Sequence, residues 1–112
     1  MTEDPAAKIA ARLDEIWRRS RPTVLERMTV LRSACEALAL NLADADARTH
    51  GREAAHKLSG TLGVFGLPQG TQLASSIEDL LLASDLLTRE DLASLRNQIA
   101  ELDAVIATRL DD

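Results

Sequence analysis

The chain of 112 residues is poor in cysteine and in aromatic side chains. Cys35 is its single cysteine, which rules out an internal disulfide and a cysteine-rich metal site. Aromatic residues make up 2% of the chain, whereas hydrophobic residues make up 46%. The core must therefore be built from Leu, Ile, Val and Ala, a composition that suits helix-on-helix packing. Cys35 lies on an apolar stripe, which predicts a buried structural thiol.

Long apolar runs and an excess of positive charge are also missing. No run approaches the roughly 20 apolar residues needed to span a bilayer. The stretch Met1-Thr2-Glu3-Asp4 lacks the basic start and apolar segment of a signal peptide. The net charge of −5 disfavours nonspecific binding to nucleic acid. We therefore expect a cytoplasmic protein with no membrane and no nucleic-acid partner.

With only three prolines and five glycines, the chain keeps long stretches free of helix breakers. Apolar residues recur along these stretches at helical spacing, and no stretch of five or more residues alternates with the period of a strand. The pattern predicts a single all-α domain over residues 1–112. We expect an antiparallel, up-down four-helix bundle with an additional short N-terminal helix. The predicted helices cover about residues 5–19, 22–43, 47–64, 68–84 and 88–110.

Three local signals set the predicted ends of these helices. Arg21-Pro22 is expected to separate the short first helix from the second. Asp46 is a candidate cap for the third helix. Thr88, with Asp91 three residues later, has the spacing of a capping box at the start of the fifth.

His56 is the residue that most clearly indicates a chemical role. In a helix at about 100° per residue, Ala55, Leu58, Leu62 and Phe65 form the core stripe and His56 lies on the opposite face. Its neighbours on that outer face are Arg52, Glu53, Ser59, Gly60 and Gly63. The spacing therefore predicts an exposed imidazole surrounded by small residues.

Gly60 and Gly63 follow His56 by one and two turns on the same face. Each glycine inside a helix costs about 1 kcal/mol relative to alanine, and nothing in the predicted core explains this cost. Close approach of a second protein surface to the imidazole would explain both positions. The alternative is a helix that frays or ends near Gly60.

Most catalytic chemistries lack their motif in this chain. There is no GxxxxGK[ST] loop, no GxGxxG after a strand and no HExxH. His50 and His56 do not share a helical face, so a two-histidine metal site is not expected, and His50 is interpreted as a bystander. A nucleophilic imidazole near neutral pH can still act as a covalent carrier of a phosphoryl group.

The segment around His56 resembles the histidine-containing phosphotransfer (Hpt) domain of bacterial and fungal phosphorelays. The run Ala55-His56-Lys57-Leu58-Ser59-Gly60 matches that family's motif at every position but one, and Gly66 follows the histidine by ten residues as in the family. The run Leu73-Ala74-Ser75-Ser76-Ile77-Glu78 matches the family's pattern on the next helix. The agreement with the bundle extends over most of the chain.

The resemblance implies roles for the residues around His56. It implies that Glu78 hydrogen-bonds the imidazole and that Nε2 of His56 is the phosphorylated atom. The family has a lysine where this chain has Ser59. We expect Arg52, with Ser59 as a hydroxyl donor, to replace that lysine in part, whereas Lys57 points about 100° away from His56.

The resemblance also implies a function and a partner. It predicts a phosphocarrier without an ATP site, which is not a kinase and exchanges phosphate with receiver domains of response regulators or hybrid histidine kinases. We expect a monomer without a cofactor of its own, with Mg²⁺ on the partner receiver. The expected docking surface comprises Gly60, Gly63, Val64 and Leu67.

Two alternatives stay open from the sequence. Ser59 in place of lysine allows a degenerate Hpt-like bundle that binds a receiver or kinase domain without transferring phosphate. A plain structural bundle with an accidental exposed histidine is the other.

Overall fold

A computed structural model describes residues 4–83 and 85–110 of the chain. The described residues form four α-helices and no strands. These are α1 (Pro5–Leu40), α2 (Ala45–Leu62), α3 (Pro68–Leu82) and α4 (Arg89–Leu110). The predicted all-α bundle is therefore confirmed. The predicted end of the fourth helix at Ser84 lies outside the described residues.

The four helices close into a ring around one core. Helix α2 packs on α1 and α3, and α4 packs on the same two helices from the other side. Short connections between consecutive helices make neighbours antiparallel. Each helix contributes one apolar stripe to the core; its largest fully buried side chains include Trp17, Met28, Leu31, Leu38, Leu58, Leu62, Ile77, Leu95, Leu102 and Ile106.

The prediction of a separate short helix over residues 5–19 is wrong, because α1 continues through Pro22 without a break. Pro22 lies on the exposed side of the helix, where its ring faces water. Trp17 and Val24, on either side of the proline, are both buried in the bundle. Burial on both sides stabilises α1 and offsets the loss of the backbone hydrogen bond that a proline removes.

The helix that carries His56 begins at a cap other than the predicted one. Asp44, not Asp46, is the N-cap of α2, and its carboxylate accepts a hydrogen bond from the Ala47 backbone N–H at 3.0 Å. Asp46 lies in the first turn of the helix instead. Either acid suits a helix start, so the sequence alone could not separate the two.

The remaining helix starts and the turn between α2 and α3 follow ordinary rules. Thr88 and Asp91 exchange side-chain to backbone hydrogen bonds of 3.1 and 2.9 Å, which confirms the predicted capping box. Gly66 adopts a φ of +74°, a left-handed conformation that favours glycine. Pro68 then opens α3 at a position where no backbone N–H is needed. This tight turn sets α3 directly against the His56 helix.

Candidate functional site

His56 lies past the middle of α2 with its side chain 72% exposed. On the opposite face of the same helix, Ala55, Leu58 and Leu62 have no solvent exposure. The core stripe therefore turns the imidazole outward, as the spacing predicts. Imidazole exposure is what an exchange of groups with another protein requires.

Glu78, on the neighbouring helix α3, holds one nitrogen of the ring. The His56 Nδ1 lies 2.7 Å from the Glu78 Oε2, and the Glu78 side chain is 22% exposed. Ile77, beside it in sequence, is fully buried and fixes this part of α3 against the core. A carboxylate can only accept a hydrogen bond, so Nδ1 carries a hydrogen, and in the neutral imidazole the lone pair is then on Nε2. The hydrogen bond thus fixes the ring and leaves Nε2 as the nitrogen that Glu78 does not hold.

Ser59 is engaged with the main chain of its own helix. Its hydroxyl donates to the carbonyl oxygen of His56 at 2.8 Å. The carbonyl oxygen of Ser59 accepts in turn from the hydroxyl of Thr71 on α3, at 3.2 Å. To donate to a group bound on the imidazole, the Ser59 hydroxyl would have to rotate away from this hydrogen bond.

Thr71 is a site neighbour that the sequence prediction did not include. Thr71 and Glu78 are seven residues apart on α3, so they share one face of that helix. One contacts the main chain of α2 after His56 and the other contacts His56 itself. Two turns of α3 are therefore fixed against α2 around the imidazole. The seven-residue spacing was the signal that could have found Thr71.

The two candidate cations lie on different sides of His56. Arg52 is half-buried, one turn before His56 on the outer face, and forms no ion pair within the described part of the chain. Lys57 is exposed and lines a groove of about 820 Å³ between α1 and α2, together with His50. Lys57 therefore faces the groove, and the role of Arg52 beside His56 stays a prediction.

The two glycines after His56 differ in their surroundings. A Cβ on Gly60 would meet no atom within 4 Å, so the surface beside the imidazole is open. Gly63 follows the end of α2 at Leu62, and a Cβ there would lie 3.1 Å from the Thr71 Oγ1. Gly60 is still helical, but α2 ends two residues later, at Leu62 and not at the predicted residue 64, so the alternative of a helix ending near Gly60 is close to what is observed. The expectation that Gly63 has no packing reason is wrong, because α3 approaches it closely.

The other predicted docking residues lie in the turn after α2. Val64 is 59% exposed, whereas Leu67 is partly buried and packs against the core. Gly60 and Val64 are therefore exposed after His56, whereas Gly63 lies close to α3 and Leu67 contributes only its exposed part.

Comparison with known proteins assigns the family. The profile of the Hpt domain matches residues 15–105. A 75-residue stretch, 67% of this chain, is 35% identical to Protein RcaC of Microchaete diplosiphon, of which it covers 12%. The chain thus spans about an eighth of the length of this curated relative. No solved structure matches the chain significantly.

The chain belongs to the Hpt domain family. This family carries out phosphotransfer in two-component phosphorelays, and its members are phosphocarriers that interact with receiver domains of response regulators. Among the described residues no helix has the length and apolarity to cross a bilayer. In the same residues no group of three or more His, Cys, Asp or Glu side chains could hold a metal ion.

Proposed function

We propose that the chain carries a phosphoryl group on Nε2 of His56 between aspartates of receiver domains. The observation that carries the proposal is the exposed imidazole whose Nδ1 is held by Glu78 at 2.7 Å. Nε2 then has its lone pair free on the solvent side. The cytoplasmic location, the monomeric state and Mg²⁺ on the partner receiver belong to the same proposal.

The transfer exchanges one phosphorus bond for another. Nε2 attacks the phosphorus of an aspartyl phosphate, the N–P bond forms, and the P–O bond to the partner's carboxylate breaks. The imidazole becomes positively charged because Nδ1 keeps its hydrogen, and the Glu78 carboxylate stabilises that charge. Return of the group to a second aspartate reverses each step, so no proton has to leave the site.

The charge on the phosphoryl group needs a cation near Nε2. Arg52 is on the face of His56 and has no ion-pair partner in the described residues, which supports its replacing the lysine that the family has at Ser59. Ser59 supports the degenerate alternative, because its hydroxyl already donates to the His56 carbonyl. The alternative predicts receiver binding without phosphorylation.

A phosphotransfer assay separates these functions. The full chain is mixed with a receiver domain previously phosphorylated on aspartate, and acid-labile phosphate on the chain is followed over time. We expect His56→Gln to abolish labelling and His50→Gln to leave it unchanged. Glu78→Ala should slow it about tenfold, the equivalent of losing roughly 1.4 kcal/mol. Receiver binding without label on His56 would establish the degenerate alternative and refute the proposal.

A further inference from the structure

The end of the bundle away from Trp17 exposes three leucines. Leu40 is 91% exposed, Leu82 is 59% exposed and Leu86 is 81% exposed. They lie at the end of α1, at the end of α3 and in the segment before α4. In an antiparallel bundle these three places are at the same end. We call these residues the distal leucine patch.

Hydrogen bonds tie the segments of the distal leucine patch together. The Arg48 guanidinium, near the start of α2, donates to the carbonyl oxygens of Leu81 at 2.7 Å and Asp85 at 3.0 Å, and also to that of Ala83. Arg89, at the start of α4, donates to the carbonyl oxygen of Ala39 at 3.2 Å. The backbone that carries the three leucines is therefore fixed to its neighbours.

The fold itself does not need these leucines. Leu38, Leu81 and Leu87 lie one or two residues away and supply the buried contacts, with exposures of 0%, 2% and 8%. Several large apolar side chains exposed at one end of a folded domain mark a contact site more often than single ones scattered over its surface. The distal leucine patch therefore has the features of a binding surface.

The charge around the distal leucine patch is acidic. Asp46, Asp79, Asp85 and Glu90 lie in the helix ends and connecting segment at this end of the bundle, and none of them forms an ion pair within residues 4–83 and 85–110. The nearby cations Arg48 and Arg89 donate to main-chain carbonyls of the fold. An acidic border repels anionic lipid and nucleic acid. It attracts a protein segment with positive charge.

We propose that the distal leucine patch binds a cationic amphipathic helix of a partner protein. The apolar face of that helix would cover the leucines, and its Lys and Arg side chains would meet the acidic border. His56 lies 11 residues after the first residue of α2, about 16 Å along the helix axis. The patch would therefore hold the carrier to a partner while His56 stays free, and the proposal does not depend on phosphotransfer.

A labelled helical peptide built from Leu and Lys is the probe, and its counterpart with Glu in place of Lys is the control. Titration into the ¹⁵N-labelled full chain should shift amide signals of residues 38–48 and 79–91. The triple variant Leu40→Gln, Leu82→Gln, Leu86→Gln should weaken binding by about tenfold or more. The matched variant Ile9→Gln, Leu25→Gln changes side chains of 62% and 41% exposure elsewhere and should weaken it less than about twofold.

A second variant tests the contribution of the acidic border by neutralising three of its carboxylates. Asp46→Asn, Asp85→Asn, Glu90→Gln should weaken binding and reduce its dependence on salt. Circular dichroism should show all three variants folded, because every substituted side chain is exposed.

Three results would overturn the proposal. One is an equal loss of binding in the patch and matched variants. Another is binding of the Leu-Glu peptide as tight as that of the Leu-Lys peptide. The third is concentration-dependent association of the chain that the triple variant abolishes, which would assign the patch to a second copy.

Discussion

Gly60 is the residue at which folding and the proposed docking of a receiver would make opposite demands. It lies inside α2, where glycine is unfavourable, and a side chain at this position would meet no atom of the chain within 4 Å. Gly60→Gln should therefore stabilise the fold by about 0.5–1 kcal/mol. The same side chain would stand in the path of a docking receiver, so phosphotransfer to His56 should slow about tenfold or more. Urea unfolding and the phosphotransfer assay measure the two effects.

Gly51 provides the matched control in the same helix. A Cβ there would lie 3.0 Å from the Leu81 Cδ1 and 3.1 Å from the Ala34 Cβ, inside the core. Gly51→Ala should therefore lower the free energy of unfolding, and its phosphotransfer rate should stay normal at temperatures where it is folded. A Gly60 variant that is more stable and still transfers phosphate at the normal rate would contradict a docking role for this surface.

Cys35 is expected to make the free energy of unfolding depend on pH in the alkaline range. Burial raises the pKa of the Cys35 thiol, and this effect outweighs the nearby Arg96 guanidinium, which lowers it. The native state then binds the thiol proton more tightly than the unfolded state does. This stabilising contribution is complete below the thiol pKa of the unfolded chain, and it is lost as pH rises through the higher pKa of the native state.

The test compares the chain with Cys35→Ala across that pH range. We expect the free energy of unfolding of the parent chain to fall more steeply between neutral and alkaline pH than that of the variant. Urea unfolding at a series of pH values measures both curves. Parallel curves would show that the buried thiol has no such linkage.

At the scale of the helix, Pro22 tests whether α1 is continuous. A proline within a helix removes one backbone hydrogen bond and costs about 3 kcal/mol, although it also restricts the unfolded chain by up to about 1 kcal/mol. Pro22→Ala should therefore stabilise the fold by about 1–2 kcal/mol. Pro68→Ala is the control, because Pro68 opens α3 where no hydrogen bond is lost, and it should give no gain. If Pro22 were instead the first residue of a separate helix, Pro22→Ala and Pro68→Ala would change the free energy of unfolding by similar amounts.

The helix that contains Pro22 also shows which features of the helices can be predicted from the local sequence. The apolar stripes from Trp17 onward and the Thr88–Asp91 capping box are local signals that agree with the structure, whereas Ile9, predicted to begin the first stripe, is exposed. The continuity of α1 depends on burial of Trp17 and Val24 by other helices, and local propensity does not contain that information. Asp44 and Asp46 are equally good caps by residue type, so local propensity does not decide between them either.

The same distinction holds for the site. The exposure of His56 follows from the helical period, and the closeness of Glu78 was implied by the family resemblance. The hydrogen bonds of Thr71 to Ser59 and of Ser59 to His56 depend on how α3 lies against α2. Side-chain rotamers at such a contact are set by tertiary packing. A sequence motif therefore identifies the residues of the site but does not predict their hydrogen-bond partners.

At the scale of the whole molecule, α1 extends beyond the bundle. The described residues measure 61 × 20 × 19 Å, and α1 alone has 36 residues, about 54 Å of helix. Residues 4–12 are all exposed. The first deeply buried residue of α1 is Trp17, whose ring lies 5.1 Å from that of Phe65 and whose Nε1 donates to the carbonyl oxygen of Arg109 at 3.2 Å. The bundle is therefore closed at Trp17, and the preceding turns extend past it.

Two truncations test this division of the molecule. Removing residues 1–12 should lower the free energy of unfolding by less than about 1 kcal/mol, because exposed helix pairs contribute only a few tenths each. It should also shorten the particle by about 12 Å in solution scattering, the length of the eight helical residues removed.

Removing residues 1–21 also deletes Trp17 and the hydrogen bond from Arg21 to the Leu110 carbonyl oxygen, so it should lower the free energy of unfolding by more than about 3 kcal/mol. Urea unfolding followed by circular dichroism compares the two. Equal losses would mean that the exposed turns of α1 stabilise the bundle as much as Trp17 does.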